Sequence, residues 1–373
     1  MHFDDRGEFL VSASLDDSIR IYNARTGDAK ACLHSKKYGV HLARFAHDGA
    51  SKLLHASTKM VDPRTGAAAP ATAVPAAGAD PLAMHTIRFL ETTNNSFIRY
   101  FTGHTAQVVS LEPSPTDDLC VSASLDGTVK LWDTRSPNCQ GNIDLAAGHV
   151  GVAGIDATGR VLGVATQNSD PNALPWLHLY DARNFDTGPF DSQPIFDPSP
   201  DAIYTPGQAA PYIPRFTQVK FSGDGKYVLL TTAADRHYVL DAWCIERTLA
   251  RVGNGPQLRP TDQRPPLYDP SEAPLTGGEA DWAPDSKHVV VANATGSGTI
   301  GVYRIPDSDG SSSSRQGNAA AVPIARPTEL VCEMDYVTPS PIHRVAFNHA
   351  ANMLASTSGS TMCFWIPDKP MTF

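Results

Sequence analysis

The feature that most constrains the fold is a segment that occurs twice. VSASLDDSIRIYN runs from Val11 to Asn23, and VSASLDGTVKLWD runs from Val121 to Asp133. The offset is 110 residues at every position, so Asp16 falls on Asp126, Ile19 on Val129 and Tyr22 on Trp132. Each copy reads as a strand, a tight turn and a second strand. Val, Ile and Ser favour extended backbone, and Asp followed by Asp or Gly supplies the turn. In the second strand Val129 and Leu131 alternate with Lys130, the pattern of a half-buried strand.

A shorter marker precedes each hairpin: an apolar residue, then a polar turn often ending in Asp-Gly. It stands at Phe3–Gly7, Phe45–Gly49, Pro113–Asp117, Ile155–Gly159, Phe221–Gly225, Trp282–Ser286 and Phe347–Ala351, at spacings of 42, 68, 42, 66, 61 and 65 residues. The shortest spacing fits a four-stranded unit of about 40–45 residues. Seven such units predict an all-β, seven-bladed β-propeller, in which each blade buries its two faces against its neighbours. The Gly103-His104 and Trp132-Asp133 dipeptides place it in the WD40 class.

The longer spacings are the same unit plus insertions. Low-complexity sequence fills 61–81, 187–214, 253–278 and 306–327, the last with four consecutive serines, Ser311 to Ser314. These read as insertions at strand connections within one propeller domain spanning 1–373, because they carry too little apolar surface to order themselves. The ends pose a problem. The chain begins two residues before the first marker, so the inner strand of the first blade and the N-terminal strand that closes the last blade are expected to be missing. About 26 strands and unpaired edges would remain, as in an incomplete or truncated chain.

Composition excludes several functions. The formal charge of -9 disfavours holding a nucleic-acid backbone by bulk electrostatics. No apolar run approaches the 18 or so residues of a membrane helix, and the N-terminus MHFDDRGEFL lacks the form of a secretory signal. Six scattered cysteines form no CxxC pair and read as reduced, small buried thiols. His34, His41, His47 and His55 recur every six to eight residues without metal-ligand spacing, and read as surface or loop histidines. GxSxG, Walker A and strand–helix GxGxxG motifs are absent. His104, Ser122, Asp126 and Trp132 match the buried hydrogen-bond chain of WD40 blades and are expected to be structural, not acid–base, residues. Lys30 to Arg44 is the one basic stretch; it reads as a solvated loop between the first two blades or as a docking surface for an acidic partner.

Several segments go beyond a generic WD repeat. SKKYGV (Ser35–Val40), FIRYFTGH (Phe97–His104), LWDTRSPNCQG (Leu131–Gly141), YDARNFDTGPF (Tyr180–Phe190) and TMCFWIP (Thr361–Pro367) lie in an order that closely resembles the Swd2 family of WD-repeat proteins. Members carry roughly forty further N-terminal residues and lack the stretch from Met60 to Met84. The alanine-rich and proline-rich insertions suggest a filamentous fungus. The resemblance implies a nuclear, non-catalytic subunit without a cofactor. Its implied partners are the catalytic and other subunits of COMPASS, which methylates lysine 4 of histone H3, and the cleavage and polyadenylation machinery with its phosphatase. A role in transcription termination follows from the second assembly, and neither a membrane nor sequence-specific nucleic-acid contact is implied. A ubiquitin-ligase substrate receptor is the alternative, but no F-box or ligase-docking helix is seen; a propeller enzyme would need acids or metal ligands clustered in the central channel. Candidate partner contacts are Lys36, Lys37, Tyr38, Arg135, Ser136, Asn138, Arg183 and Phe185, with Leu15 and Leu125 beside the turn aspartates.

Overall fold

Tyr227-Val228-Leu229-Leu230 is apolar without interruption, which a strand tolerates only if both its faces are covered. In the computed structural model both are. Val228 and Leu230 pack toward Leu177 and Leu179 on one side, while Tyr227 and Leu229 pack toward Trp282 and Val289 on the other. The structure describes residues 1–47, 49–61, 68–70, 85–168, 173–195, 215–233, 236–245, 248–253, 279–292, 299–306, 328–334 and 342–366.

Seven antiparallel sheets follow one another along the chain. Blade 1 comprises His2–Phe3, Phe9–Ala13, Ser18–Asn23 and Ala29–His34. Blade 2 comprises His41–Phe45, Lys52–Ala56, Ile87–Glu91 and Ser96–Phe101. Blade 3 is built from Val108–Pro113, Leu119–Ser124, Thr128–Asp133 and Cys139–Asp144, and blade 4 from His149–Ile155, Val161–Asn168, Trp176–Asp181 and Asp191–Pro194. Phe216–Phe221, Tyr227–Thr232, His237–Asp241 and Thr248–Val252 make blade 5; Ala280–Trp282, His288–Ala292, Ile300–Arg304 and Glu329–Met334 make blade 6. Blade 7 has three strands among the described residues: Ile342–Asn348, Met353–Ser358 and Thr361–Trp365. The first strands of successive blades touch one another and surround the axis. A two-stranded ribbon, Lys59–Val61 with Ala68–Pro70, leaves blade 2 between its second and third strands.

Six apolar clusters form the core, and each is shared by two neighbouring blades, from blades 1 and 2 through to blades 6 and 7. The blade 7–blade 1 junction is made differently. The Asn348 side chain donates to the Gly7 carbonyl at 2.8 Å, and the Tyr22 and Phe364 rings meet edge to face at 6.4 Å. Gly7 has φ of 66°, and a Cβ there would run into Asn348, so glycine is required on both counts. The marker turns account for this contact. Their second residue caps the turn, as Asp4 does for Phe9 N and Asp156 for Arg160 N and Val161 N. Successive turns then touch along one rim: Thr116 Oγ1 donates to Thr158 O, and Asp224 N to Ser286 Oγ.

Four expectations are corrected. The inner strand of blade 1 is present as His2–Phe3, in register with Val11 and Leu10, because two residues suffice for a ladder step against Phe9–Ala13. The segment from 187 is not all insertion, since Asp191–Pro194 pairs with Trp176–Asp181 as the fourth strand of blade 4. Positions 62–67, 71–84, 196–214, 254–278 and 307–327, including Ser311 to Ser314, lie outside the described residues. The basic stretch is not one loop: Ala29–His34 is the outer strand of blade 1 and His41–Phe45 the inner strand of blade 2. The thiols are not generally buried, for only Cys120 is; Cys32, Cys139, Cys244 and Cys332 are exposed, because four of the six sit on outer strands or connections.

Blades 4 and 5 come into close backbone contact at Gly154, where a Cβ would lie 2.1 Å from the Val219 carbonyl oxygen. Backbone on both sides leaves no room to relax. Gly154→Ala is expected to cost about 1–3 kcal/mol of stability, read by calorimetry as a Tm lower by several degrees; an unchanged Tm would contradict the packing described.

Candidate functional site

The hairpin of blade 3 brings its four motif residues into one chain of hydrogen bonds. His104 Nδ1 lies 2.9 Å from Asp126 Oδ2, and His104 Nε2 lies 2.7 Å from Ser122 Oγ. The Trp132 indole N–H donates to the same Ser122 oxygen at 2.8 Å. Asp126 accepts further bonds from the Thr105 and Thr128 backbone N–H groups, both at 2.9 Å, and from the Thr128 hydroxyl at 2.7 Å. With a carboxylate on Nδ1, the imidazole carries its proton there and accepts the Ser122 hydroxyl on Nε2. Every polar atom of the chain is partnered, and Ser122 and Trp132 are wholly buried. Burial alone would raise the Asp126 pKa; the hydrogen bond from His104, with the Thr128 and Thr105 donors, outweighs it and holds the carboxyl well below the usual range.

The same chemistry recurs in reduced form. In blade 7 the Trp365 indole N–H donates to Ser356 Oγ at 2.8 Å, a pair that sequence reading missed. Its signal was present: Ser356 precedes Trp365 by nine residues, as Ser122 precedes Trp132 by ten, the hairpin being one residue shorter. In blade 1, Asp16 caps Ser18 and pairs with Arg20. In blade 4, no aspartate meets His149 among the described residues; its Nδ1 lies 3.1 Å from the Ala146 carbonyl.

The central channel carries charge in compensated form. Arg44 of blade 2 meets Glu112 of blade 3 at 3.0 Å, and Lys220 of blade 5 meets Asp281 of blade 6 at 3.1 Å. Arg344 of blade 7 pairs with Glu279. Burial, with repulsion from Arg44, lowers the Arg344 pKa to about 9. A cavity of about 310 Å³ at this mouth is lined by His2, Arg44, Glu112, Lys220 and Asp281 among others. Among the described residues no three His, Cys, Asp or Glu side chains gather as metal ligands would. The four recurring histidines are not uniformly superficial: His55 is wholly buried in a central strand of blade 2, and burial, then Arg88, lowers its pKa to about 4.

The candidate contact residues fall into three places. Lys36 and Lys37 are exposed in the connection between blades 1 and 2, and Tyr38 beside them is half-buried against Phe97 and Arg88. Arg135, Ser136 and Asn138 lie on the turn leaving Asp133, where Arg135 is 72% exposed and pairs with Asp133 at 2.8 Å. Arg183 is exposed on the corresponding turn of blade 4, but Phe185 is not free for a partner: its ring packs into the blade 3–blade 4 core over Gly141, where a Cβ would collide with it. Leu15 is 78% exposed, while Leu125 is half-buried, its N–H held by the Gln107 carbonyl. Sequence reading passed over Ile98 and Tyr100, exposed on the outer strand of blade 2.

Comparison with known proteins agrees with this geometry. The family described as "WD domain, G-beta repeat" matches residues 1–23 and 95–133. The WD repeat-containing protein 82 of Drosophila melanogaster is 31% identical over 98% of this chain and 89% of its own length. The chain belongs to the Swd2 family of WD-repeat proteins. The Set1 complex component swd2 of Schizosaccharomyces pombe is 37% identical over 65% of this chain; the match spans 56% of that relative's length. The COMPASS component SWD2 of Saccharomyces cerevisiae is 24% identical over 83% of the chain and 76% of its own length. A chain in the crystal structure of the mitotic checkpoint complex shares the fold alone, at a TM-score of 0.62 and 13% identity, covering 98% of this chain and 85% of that one.

The Asp126 carboxyl gives a pH prediction. Its folded-state pKa is depressed, so its stabilisation is complete above the unfolded value of about 3.9 and is lost as pH falls below that. Asp126→Asn is expected to lower stability at pH 7 and to flatten the decline of stability below about pH 4, measured by urea unfolding across pH. Parallel curves for the two proteins would contradict the assignment. Separately, Trp132→Phe is expected to cost about 1–3 kcal/mol, and less when Ser122 is already alanine, as a double-mutant cycle reads.

Proposed function

We propose that this protein is a non-catalytic scaffold subunit of a Set1/COMPASS-type complex that methylates lysine 4 of histone H3. The observation that carries the reading is membership of a family, matched over 98% of the chain by one relative, in which two further relatives are named as a Set1 complex component and a COMPASS component. The fold supports it physically. The motif chain of blade 3 is internally satisfied, and the channel ions are paired, so the charged side chains described there are already committed within the ring. What remains free is surface: a rim of turns and the outer strands of the blades, suited to several partners at once.

In this reading the chain works in the nucleus, contacts the catalytic methyltransferase subunit and holds it among the other subunits. The family resemblance extends the proposal to the cleavage and polyadenylation machinery and its phosphatase, hence to transcription termination. The exposed turns bearing Lys36, Lys37, Arg135, Ser136, Asn138 and Arg183 are the proposed contact points. The structural role of His104, Ser122, Asp126 and Trp132 belongs to the same proposal.

Affinity purification of the tagged chain from its own cells, followed by mass spectrometry, tests the reading. The SET-domain methyltransferase is expected among the recovered proteins, and loss of the chain is expected to lower bulk H3 lysine 4 trimethylation several-fold. Recovery of no methyltransferase, with methylation unchanged, would overturn it.

A further inference from the structure

Blade 2 differs from its neighbours at one position. In blade 1, Arg20 lies opposite Ser12 and is compensated by the turn Asp16. In blade 3 the corresponding cation, Lys130 opposite Ser122, reaches out to Asn142. In blade 2 the corresponding residue is Arg88, opposite His55, and the chain from 57 to 86 replaces the tight hairpin turn that would carry an aspartate. Arg88 is 3% exposed. Its guanidinium reaches the Ser57 hydroxyl and, at 3.4 Å, the Thr86 carbonyl, but among the described residues no carboxylate pairs with it. Its Nε and the neighbouring His55 Nε2 are both buried without a hydrogen-bond partner. A buried cation left without an anion is costly, and burial lowers the Arg88 pKa to about 10.

Aromatic rings cover this cation. The Tyr38 ring centre is 3.7 Å from the guanidinium carbon and that of Tyr100 5.8 Å. Phe97 stands 5.4 Å from Tyr100 and 6.4 Å from Tyr38. Phe97 and Tyr100 are three residues apart, so in a regular strand they would face opposite ways. The bulge between Phe97 and Arg99 turns them to one face. They lie on Ser96–Phe101, the outer strand of blade 2, whose far edge has no paired strand among the described residues. Phe97, Ile98 and Tyr100 are 38%, 42% and 44% exposed, an apolar strip on an open edge. Lys36 and Lys37 stand exposed beside it, with the Lys37 ammonium 5.3 Å from the Tyr38 ring.

We infer that the outer edge of blade 2 is a docking site for an extended, acidic and apolar peptide segment of a partner protein. The segment pairs its backbone with Ser96–Phe101, lays an apolar side chain on Phe97 and Ile98, and brings a carboxylate to Arg88 as the Tyr100 ring rotates aside. Charge complementarity fixes the partner's chemistry: the edge offers Arg88, Lys36 and Lys37 and an aromatic wall. The inference names the contact surface for the scaffold role proposed above, but its physical test is independent of that role.

The probe is a fluorescein-labelled synthetic peptide of alternating Glu and Phe, with a Lys and Phe peptide as control, titrated against the full chain by anisotropy. The acidic peptide is expected to bind at least about tenfold more tightly than the basic one and to weaken with salt. Ile98→Asp, on an exposed position, is expected to weaken it about tenfold with Tm unchanged. Arg88→Gln separates site from scaffold: it should abolish the preference for the acidic peptide without lowering Tm, since it removes a buried charge that no described carboxylate pairs with. Equal binding of the two peptides, no binding, or insensitivity to both substitutions would overturn the inference. Purification of the unsubstituted chain from its own cells, set beside its peptide titration, distinguishes the two readings. A chain that recovers the methyltransferase but binds no acidic peptide refutes only this surface; one that binds the peptide but recovers no methyltransferase refutes only the proposed complex.

Discussion

A strand that is apolar on both faces has to be sandwiched, and this requirement organises the whole molecule. Val228 and Leu230 look one way and Tyr227 and Leu229 the other, so blade 5 has no solvent face to offer. The same holds from blade to blade, and each of the six apolar clusters belongs to two sheets rather than one. Stability is therefore a property of the junctions, as in other repeat architectures. The seventh junction is the exception. Blade 7 meets blade 1 through the Asn348–Gly7 hydrogen bond and the Tyr22–Phe364 ring pair, with no shared apolar cluster among the described residues.

This division of labour explains where function can reside. Faces are consumed in holding blades together, and the channel ions neutralise one another between neighbouring blades. The turn rim and the outer strands are left for partners. Blade 2 is the place where these roles conflict, because Arg88 takes the position of a compensated cation, has no paired carboxylate among the described residues and lies beneath an exposed aromatic edge. Local departures from a repeat are where a repeat protein is expected to carry specificity.

The repeat made the architecture legible. The near-identity of Val11–Asn23 and Val121–Asp133, with the marker turns, led to seven blades, and His104, Ser122, Asp126 and Trp132 could be named because blade 3 keeps the whole pattern. What sequence did not disclose depends on neighbours in space. Phe185 looks like a surface aromatic until Gly141 is seen beneath it, and His55 looks like one of four loop histidines until its strand proves central. The Ser356–Trp365 pair was hidden by a hairpin one residue short. The bulge that sets Phe97 and Tyr100 on one face leaves no mark in the sequence, because either strand geometry suits FIRYF.

Native-state hydrogen exchange on the intact chain tests the central claim most directly, since it reads the opening free energy of each blade separately. With shared clusters holding six junctions and one hydrogen bond and one ring pair described at the seventh, amides of Phe9–Ala13 in blade 1 and Met353–Ser358 in blade 7 are predicted to exchange by a lower-energy opening than those of Leu119–Ser124, Val161–Asn168 and Tyr227–Thr232. Opening that begins inside blades 3 to 5, with the blade 7–blade 1 junction the last to exchange, would contradict the account.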